Sequence, residues 1–299
     1  MNAQKIMDEI GVFLDRSLLK KSKITKAEII RFIEAKWAEA DDEKYRIYAS
    51  YIYAARMVNE YKWAGDAPNM LRWLGEMDKH ARSNENPPYV SDYYKGECCL
   101  ECGAEQEALK FLRKSYEANE EYLFTRSPKV AEFFNAHLAE PKILPKFEDK
   151  EYEDFSFPLR LEYFGKALEQ EGEFRCTFLD EDSEETDEPS QAQSDALEFL
   201  KQNQEEILTG ILAEILKNYS KWQKIYDYPS ETKSDFMPDI CTPQELSELL
   251  ELQNIYILGD TAKIGFEFSC SWDIEHGLGV MTRKGKVVKI GEAETAFVF

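Results

Sequence analysis

The purely helical hydrophobic period of this chain of 299 residues gives way, about half way along, to a mixture of strand and helix patterns, and that change most limits how it can fold. As far as His137, apolar residues return at three- and four-residue spacing, as in Ile6, Ile10, Phe13 and Leu14 and again in Ile29, Ile30, Ile33 and Trp37. That spacing marks amphipathic helices. Beyond residue 155, short runs with strand character take over: FPLRLEYF at 157–164, EFRCTFL at 173–179, IYIL at 255–258, KIGFEFSCSW at 263–272, GLGVMTR at 277–283 and KVVKIG at 286–291, with a last apolar stretch AFVF. Between the two regimes lies LAEPKILPKFEDKEYE (138–153), with two prolines and mixed charge. The expectation is an N-terminal domain of antiparallel helix pairs over residues 1–145 and an α+β domain over residues 150–299, an antiparallel sheet packed by one long helix.

Local signals place the elements. Thr25 opens a T-K-A-E segment in which Glu28 can complete a capping box. Further helices are expected at 43–62, 67–82, 88–102, 104–119 and 127–137, punctuated by Gly65-Asp66, Asn86-Pro87-Pro88, Gly103 and Ser127-Pro128. In the segment 93–124, Gly96 permits close helix approach, Cys102-Gly103 makes a turn, and Ala108, Leu112 and Ser115 follow. These offsets resemble a tetratricopeptide-type hairpin. Stacked hairpins offer concave surfaces to proteins, so the alternatives are a binding groove or a structural brace. In the second half, the apolar series Leu197, Leu200, Ile207, Ile211, Ile215 and Trp222 predicts one helix from Pro189 to Tyr226. Thr242, Pro243 and Glu245 predict a capped helix near 243–251, and Lys284-Gly285 a hairpin turn.

Charge divides the chain as sharply as periodicity does. Residues 1–150 hold 24 basic and 26 acidic side chains, a net of −2, and residues 151–299 hold 13 and 32, a net of −19. A half at −19 repels phosphate backbones, which argues against direct nucleic-acid binding by it, and attracts basic proteins or cations. Acidity can equally serve solubility. The run Asp180, Glu181, Asp182, Ser183, Glu184, Glu185 is the densest part, and it reads as a solvated loop or as part of a surface for a basic partner. It lacks the Gly and Glu positions of an EF-hand. Tyr45, Tyr48, Tyr51, Tyr53 and Tyr61 are read as lying along one helix that ends near Trp63, either packing between helices or forming a protein-binding patch.

No run of 18 apolar residues exists, so no membrane span is expected. Asp8, Glu9 and Asp15 interrupt the opening apolar pattern, which argues against a secretory leader and for the cytoplasm. Six cysteines include Cys99-x-x-Cys102, but with no second pair they do not make a zinc site, and they read as small apolar residues on a packed helix. No metal and no cofactor is expected. The densest polar cluster is Trp272, Asp273, Glu275 and His276, followed by Gly277 and Gly279. A histidine between carboxylates can move protons near neutral pH. It can also simply tie a turn whose two glycines permit the bend, or form part of a binding surface.

The segment at 93–134 resembles helical-repeat segments of bacterial immunity proteins from polymorphic toxin systems, with Ser127, Pro128, Lys129, Glu132, Phe133 and Phe134 carrying the likeness. The end of the chain is similar to a bacterial domain family of unknown function, through Trp272, Asp273, Glu275, His276, Gly277, Leu278, Gly279 and Val280. The resemblance implies neutralisation of a partner toxin by binding. The function expected is therefore a non-enzymatic protein-binding module of the immunity type, taking a basic protein on its acidic half. No catalytic residue is assigned. Its partner-binding candidates are Trp272, Asp273, Glu275, His276, Asp180, Glu181, Asp182, Glu184 and Glu185. The alternatives are a helical-repeat scaffold for a peptide or protein, and an enzyme using Asp273, Glu275 and His276.

Overall fold

The computed structural model describes residues 2–80, 87–119, 123–138, 155–180, 182–259 and 263–298. The proline-containing segment expected to separate the domains lies, beyond Leu138, outside the described residues. Contacts cluster into two compact units, Met1–Leu14 with Ile24–Glu151, and Asp15–Lys23 with Tyr152–Phe299.

The helices of the N-terminal region are α1 (Ala3–Leu18), α2 (Lys26–Glu39), α3 (Tyr48–Trp63), α4 (Ala67–Asp78), α5 (Pro88–Glu101), α6 (Glu105–Asn119) and α7 (Pro128–Asn135). Pairing is sequential. Phe13 of α1 stacks on Phe32 of α2 at 4.0 Å, and α3 packs with α4 and α5 with α6. Thr25 caps α2 in the expected box with Glu28. Gly96 lets α5 and α6 meet, because a Cβ there would lie 2.6 Å from Leu112 Cγ, and Ala108, Leu112 and Ser115 are all buried. Cys98 and Cys99 are buried in the core, and burial pushes their thiols up to about 11 and about 12.

One expected helix is broken. Residues 42–46 form a 3-10 turn capped by Asp41, and Ile47 is extended, so α3 begins only at Tyr48. The cause is Lys44, which is buried and donates to the carbonyls of Trp37 and Ala40 at 3.0 Å, closing the end of α2 with a cation where the helix dipole is negative. Tyr45 therefore leaves the tyrosine-rich helix. Its hydroxyl instead donates to Glu76 at 2.6 Å, and Glu76 also accepts from Trp37 Nε1 at 2.8 Å and pairs with Lys79. Glu34 does the same for Tyr61, Trp73 and Arg72. Two carboxylates thus satisfy the polar edges of the buried tryptophans.

The second unit comprises β1 (Phe157–Leu159), α8 (Glu162–Ala167), β2 (Phe174–Leu179), β3 (Glu185–Thr186), α9 (Gln191–Gln202), α10 (Gln204–Tyr226), α11 (Ser230–Phe236), α12 (Pro243–Ser247), β4 (Leu250–Leu258), β5 (Lys263–Cys270), β6 (Asp273–Arg283) and β7 (Lys286–Gly291). The seven strands form one sheet in the order β1-β2-β4-β5-β6-β7, with β3 paired to β2. It is mostly antiparallel, but β2 and β4 run parallel. The expected antiparallel sheet is thus present with one parallel pair within it, because the connection between β2 and β4 carries four helices, long enough to return the chain to the end where β2 began. Gln193 secures this pair, its Nε2 donating to Leu179 O and Ile257 O. Lys20, from the Asp15–Lys23 segment, gathers three carbonyls, those of Leu168, Ser247 and Leu250.

The stretch 157–164 is strand only to Leu159. Leu161, Phe164 and Leu168 then recur at helical spacing and are all buried. The single long helix is two, broken at Asn203, whose N–H bonds back to Phe199 O and Leu200 O. The apolar stripe stays in register through the break, so periodicity did not disclose it. Ile207, Ile211, Ile215 and Tyr219 of α10 bury against Phe266, Phe268 and Val280 on one face of the sheet. Strand β4 begins at Leu250, five residues before the run expected for it, and the helix capped by Thr242 stops at Ser247. Residues 293–296, leading into the last apolar stretch AFVF, form a 3-10 turn. Lys284 and Gly285 make the predicted hairpin turn, both with positive φ.

Hydrogen bonds from Lys79, Tyr45 and Trp37 outweigh the opposing effect of burial and hold the Glu76 carboxyl at about 2, against an ordinary 4.5. A depressed carboxylate contributes stability that is present above the unfolded value and is lost as pH falls through the folded one. Glu76→Gln should be less stable at pH 7 by an amount on the order of 1–3 kcal/mol, read in thermal unfolding as a lower midpoint. It should also lose part of the acid sensitivity that the unaltered protein shows between about pH 4.5 and 2. Parallel acid profiles in the two proteins would contradict this.

Candidate functional site

The Trp272–Val280 stretch is built by a hairpin that is tight at its tip and swollen just beyond it. Strands β5 and β6 join through Ser271 and Trp272, and Cys270 pairs with Asp273. The next pair is Phe268 with Leu278, so β6 advances five residues while β5 advances two. Residues 274–277 therefore bulge from the ladder. Glu275, His276 and Gly277 lie inside β6 within this bulge, not at the strand connection where a turn was expected.

Asp273 holds the bulge. Its side chain is 11% exposed, and Oδ1 accepts from the His276 backbone N–H at 3.0 Å and lies 3.0 Å from His276 Nδ1. Its Oδ2 accepts from the Tyr226 hydroxyl at 2.6 Å, which ties the end of α10 to the hairpin. Gly277 takes φ +64°, and a Cβ there would lie 2.7 Å from Phe268 O. Gly279 serves differently. A Cβ at that position would stand 2.5 Å from Glu292 O, so its absence lets the 3-10 turn at 293–296 lie on the strand. The two glycines of the G-L-G-V sequence thus make a bulge and a docking surface for backbone.

Trp272 is buried, crossing Tyr219 edge-on at 5.4 Å and stacking on Trp222 at 6.0 Å. It is a core pillar, and its carbonyl accepts from the Tyr228 hydroxyl at 3.0 Å. Glu275 and His276 are exposed. The Asp273 hydrogen bond, helped by the charges of Asp273, Glu275 and Glu292, raises His276 above its ordinary 6.5. Cys270 is buried and its thiol is pushed up to about 12, so it carries no thiolate at neutral pH. Ser271 Oγ donates to Phe236 O at 2.6 Å.

The second acidic cluster is elsewhere. Asp180 Oδ1 accepts from the N–H groups of Asp182 and Glu184 at 2.9 Å, closing a turn between β2 and β3. The acidic run is thus partly strand: Thr186 pairs with Phe178 and Glu185 with Leu179. Asp182, Glu184 and Glu185 are exposed, and Glu181 lies outside the described residues. Leu179 pairs with Leu258, at the far end of β4 from Leu250, which pairs with Cys270. The eight steps along β4 from Leu250 to Leu258, at about 3.3 Å each, put about 26 Å between the clusters. The structure does not bring them into one site.

It places other residues beside Asp273. A groove of about 430 Å³ runs between the last turn of α10 and the ends of β6 and β7, with Trp222, Ile225 and Tyr226 on one side and Ile290, Glu292 and Glu294 on the other. Ile225 is 64% and Tyr226 38% exposed, an unusual endowment for a helix end. No Lys or Arg among the described residues comes within ion-pair distance of Glu275, Glu292 or Glu294. Sequence reasoning passed over this groove. The available signal was Ile225 and Tyr226, two apolar residues after Trp222 where the stripe had already reached the helix end. Among the described residues no group of three or more His, Cys, Asp or Glu is placed to hold a metal ion, and no helix is long and apolar enough to cross a membrane.

The fold and the bulged hairpin define an α+β domain with a helix-backed mixed sheet. Residues 145–297, a little over half of the chain, match the family described as a domain of unknown function, DUF6985, and the chain belongs to that family. No curated protein and no solved structure matches the chain.

Two outcomes follow from this geometry. In an NMR titration His276 should titrate above 6.5, and Asp273→Asn should return it towards that value. Because the folded value is raised, the stabilisation this contact contributes is complete below the unfolded value and is lost as pH rises through the folded one. Equal midpoints in both proteins would show that Asp273 does not hold the ring. Gly279→Ala should destabilise the protein by about 1–3 kcal/mol in denaturant melts, through overpacking against Glu292 O. Gly75→Ala, where nothing lies within 4 Å of the added carbon, serves as the comparison and should not destabilise it.

Proposed function

We propose that the chain is a protein-binding module whose acidic half engages a basic protein, in the manner of an immunity protein that neutralises a bacterial toxin by occlusion. The observation that carries this reading is the net charge of −19 over residues 151–299, concentrated in part as carboxylates around an exposed apolar groove that pair with no Lys or Arg among the described residues. Long-range attraction speeds encounter with a basic partner and suppresses acidic ones, and the buried apolar contact then slows release. The likeness of residues 93–134 to immunity-protein repeats supports the same role. Trp272 and Asp273 act in it as supports, the first under the groove and the second at its edge, while Glu275, Glu292 and Glu294 present charge.

A second reading has its own observation. In the first unit, Tyr51, Ala55, Leu74, Met77, Val90 and Tyr94 line a groove of about 350 Å³ between α3, α4 and α5, suited to an apolar peptide on a helical scaffold.

Affinity capture by the full chain from bacterial lysate at low salt, with elution by rising salt, supplies the partner. Its purified form is then titrated. The acidic-half reading expects affinity to fall by about tenfold or more between 50 and 300 mM salt, and to fall again in Glu292→Lys with Glu294→Lys. The scaffold reading expects little salt dependence and a loss in Ala55→Glu. Binding indifferent to salt and to the Glu292 and Glu294 reversals would overturn the leading reading.

A further inference from the structure

The groove at the end of α10 has a composition that selects among basic partners, and this step rests on the reading that the acidic half binds a basic protein. One wall is aromatic: Trp222, stacked on the buried Trp272, and Tyr226. The opposite rim carries Glu292 and Glu294, both exposed and neither paired with a basic side chain among the described residues. Ile225 beside the aromatic wall and Ile290 beside the carboxylates add apolar surface to the lining. Burial and its bond to Asp273 raise the Tyr226 phenol above its ordinary value, so it presents a neutral ring at neutral pH.

A flat cation that stacks on an aromatic face while forking hydrogen bonds to carboxylates is a guanidinium. An ammonium is a strongly hydrated point charge and meets only the second demand well. Arginine also carries three methylenes that cover apolar surface. We propose that this groove receives an arginine side chain from an extended segment of the basic partner, with the guanidinium against Trp222 and Tyr226 and its donors on Glu292 and Glu294. A space of about 430 Å³ lies within the range of small-ligand pockets, which leaves room for the flanking backbone of that segment. The groove is held ready by the docked 292–296 turn and by the Tyr226–Asp273 bond, so little ordering is required of the protein on binding.

The test uses the full chain and three small probes: N-acetyl-L-argininamide, the uncharged isostere N-acetyl-L-citrullinamide, and N-acetyl-L-lysinamide. Binding is followed by NMR of the tryptophan indole N–H signals, with Trp222 assigned through Trp222→Phe. Arginine should shift the Trp222 and Trp272 signals saturably. Citrulline should bind at least about tenfold more weakly, and lysine several-fold more weakly. Glu292→Gln with Glu294→Gln, both at exposed positions that leave the fold intact, should reduce arginine binding by about tenfold. Equal responses to arginine and citrulline, no saturable shift, or binding unchanged in the double variant would each overturn the assignment. The two readings fail separately. A captured basic partner whose salt-sensitive binding survives the double variant leaves the acidic-half reading standing and removes the groove from it. Arginine binding without any salt-sensitive protein partner does the reverse.

Discussion

The backbone of the 3-10 turn at 293–296 lies directly on strands β5 and β6, and it can do so only where those strands carry no side chain. A Cβ on Gly265 would overlap Ala296 O, and one on Gly279 would crowd Glu292 O. Two hydrogen atoms in place of two methyl groups therefore decide where the end of the chain rests. From that contact follow the position of Glu292 and Glu294, the closed side of the groove, and the covering of a sheet face that would otherwise be open.

The opposite face is organised by α10, which buries Ile207, Ile211, Ile215 and Tyr219 over the central strands. Its last turn overruns the core. Trp222 still touches Trp272, but Ile225 and Tyr226 project beyond the packed region before Asp227 ends the helix in a left-handed conformation. The exposed apolar surface is a consequence of helix length against sheet width. Asp273 converts it into a fixed wall by accepting the Tyr226 hydroxyl, while the same carboxylate holds the hairpin bulge. One side chain thus couples the helix end to the hairpin.

Much of the architecture was legible because it rests on short-range signals. Thr25 with Glu28 formed the box its spacing implied, and Thr242 caps the helix expected after it, since capping depends only on neighbours within one turn. Gly103 marked the turn of a helical hairpin through its own positive φ, and Gly96 marked the close approach of the two helices joined by that turn. What misled were places where a backbone-capping contact interrupted a helix without any mark in the apolar spacing. Lys44 broke a helix to close the one before it, and Asn203 interrupted a helix without disturbing its stripe. The parallel pairing of β2 with β4 was not legible, because register and direction depend on where a four-helix connection returns the chain. Of the site, Asp273 and His276 were visible as a cluster and do meet, whereas the acidic run from Asp180 was grouped with them by charge alone and lies at the other end of β4.

The sequence by itself determined the change from helical to alternating period, the concentration of negative charge beyond residue 150, and the glycines of the W-D-x-E-H-G-L-G-V segment. These are properties of residues and their immediate neighbours, and no folding is needed to read them. Only the tertiary structure decided that Trp272 is a pillar and not a contact, that Asp273 reaches across to Tyr226, and that Glu292 and Glu294 face an aromatic wall from α10. Those relations join residues far apart in the chain, whose meeting is set by strand order and helix length.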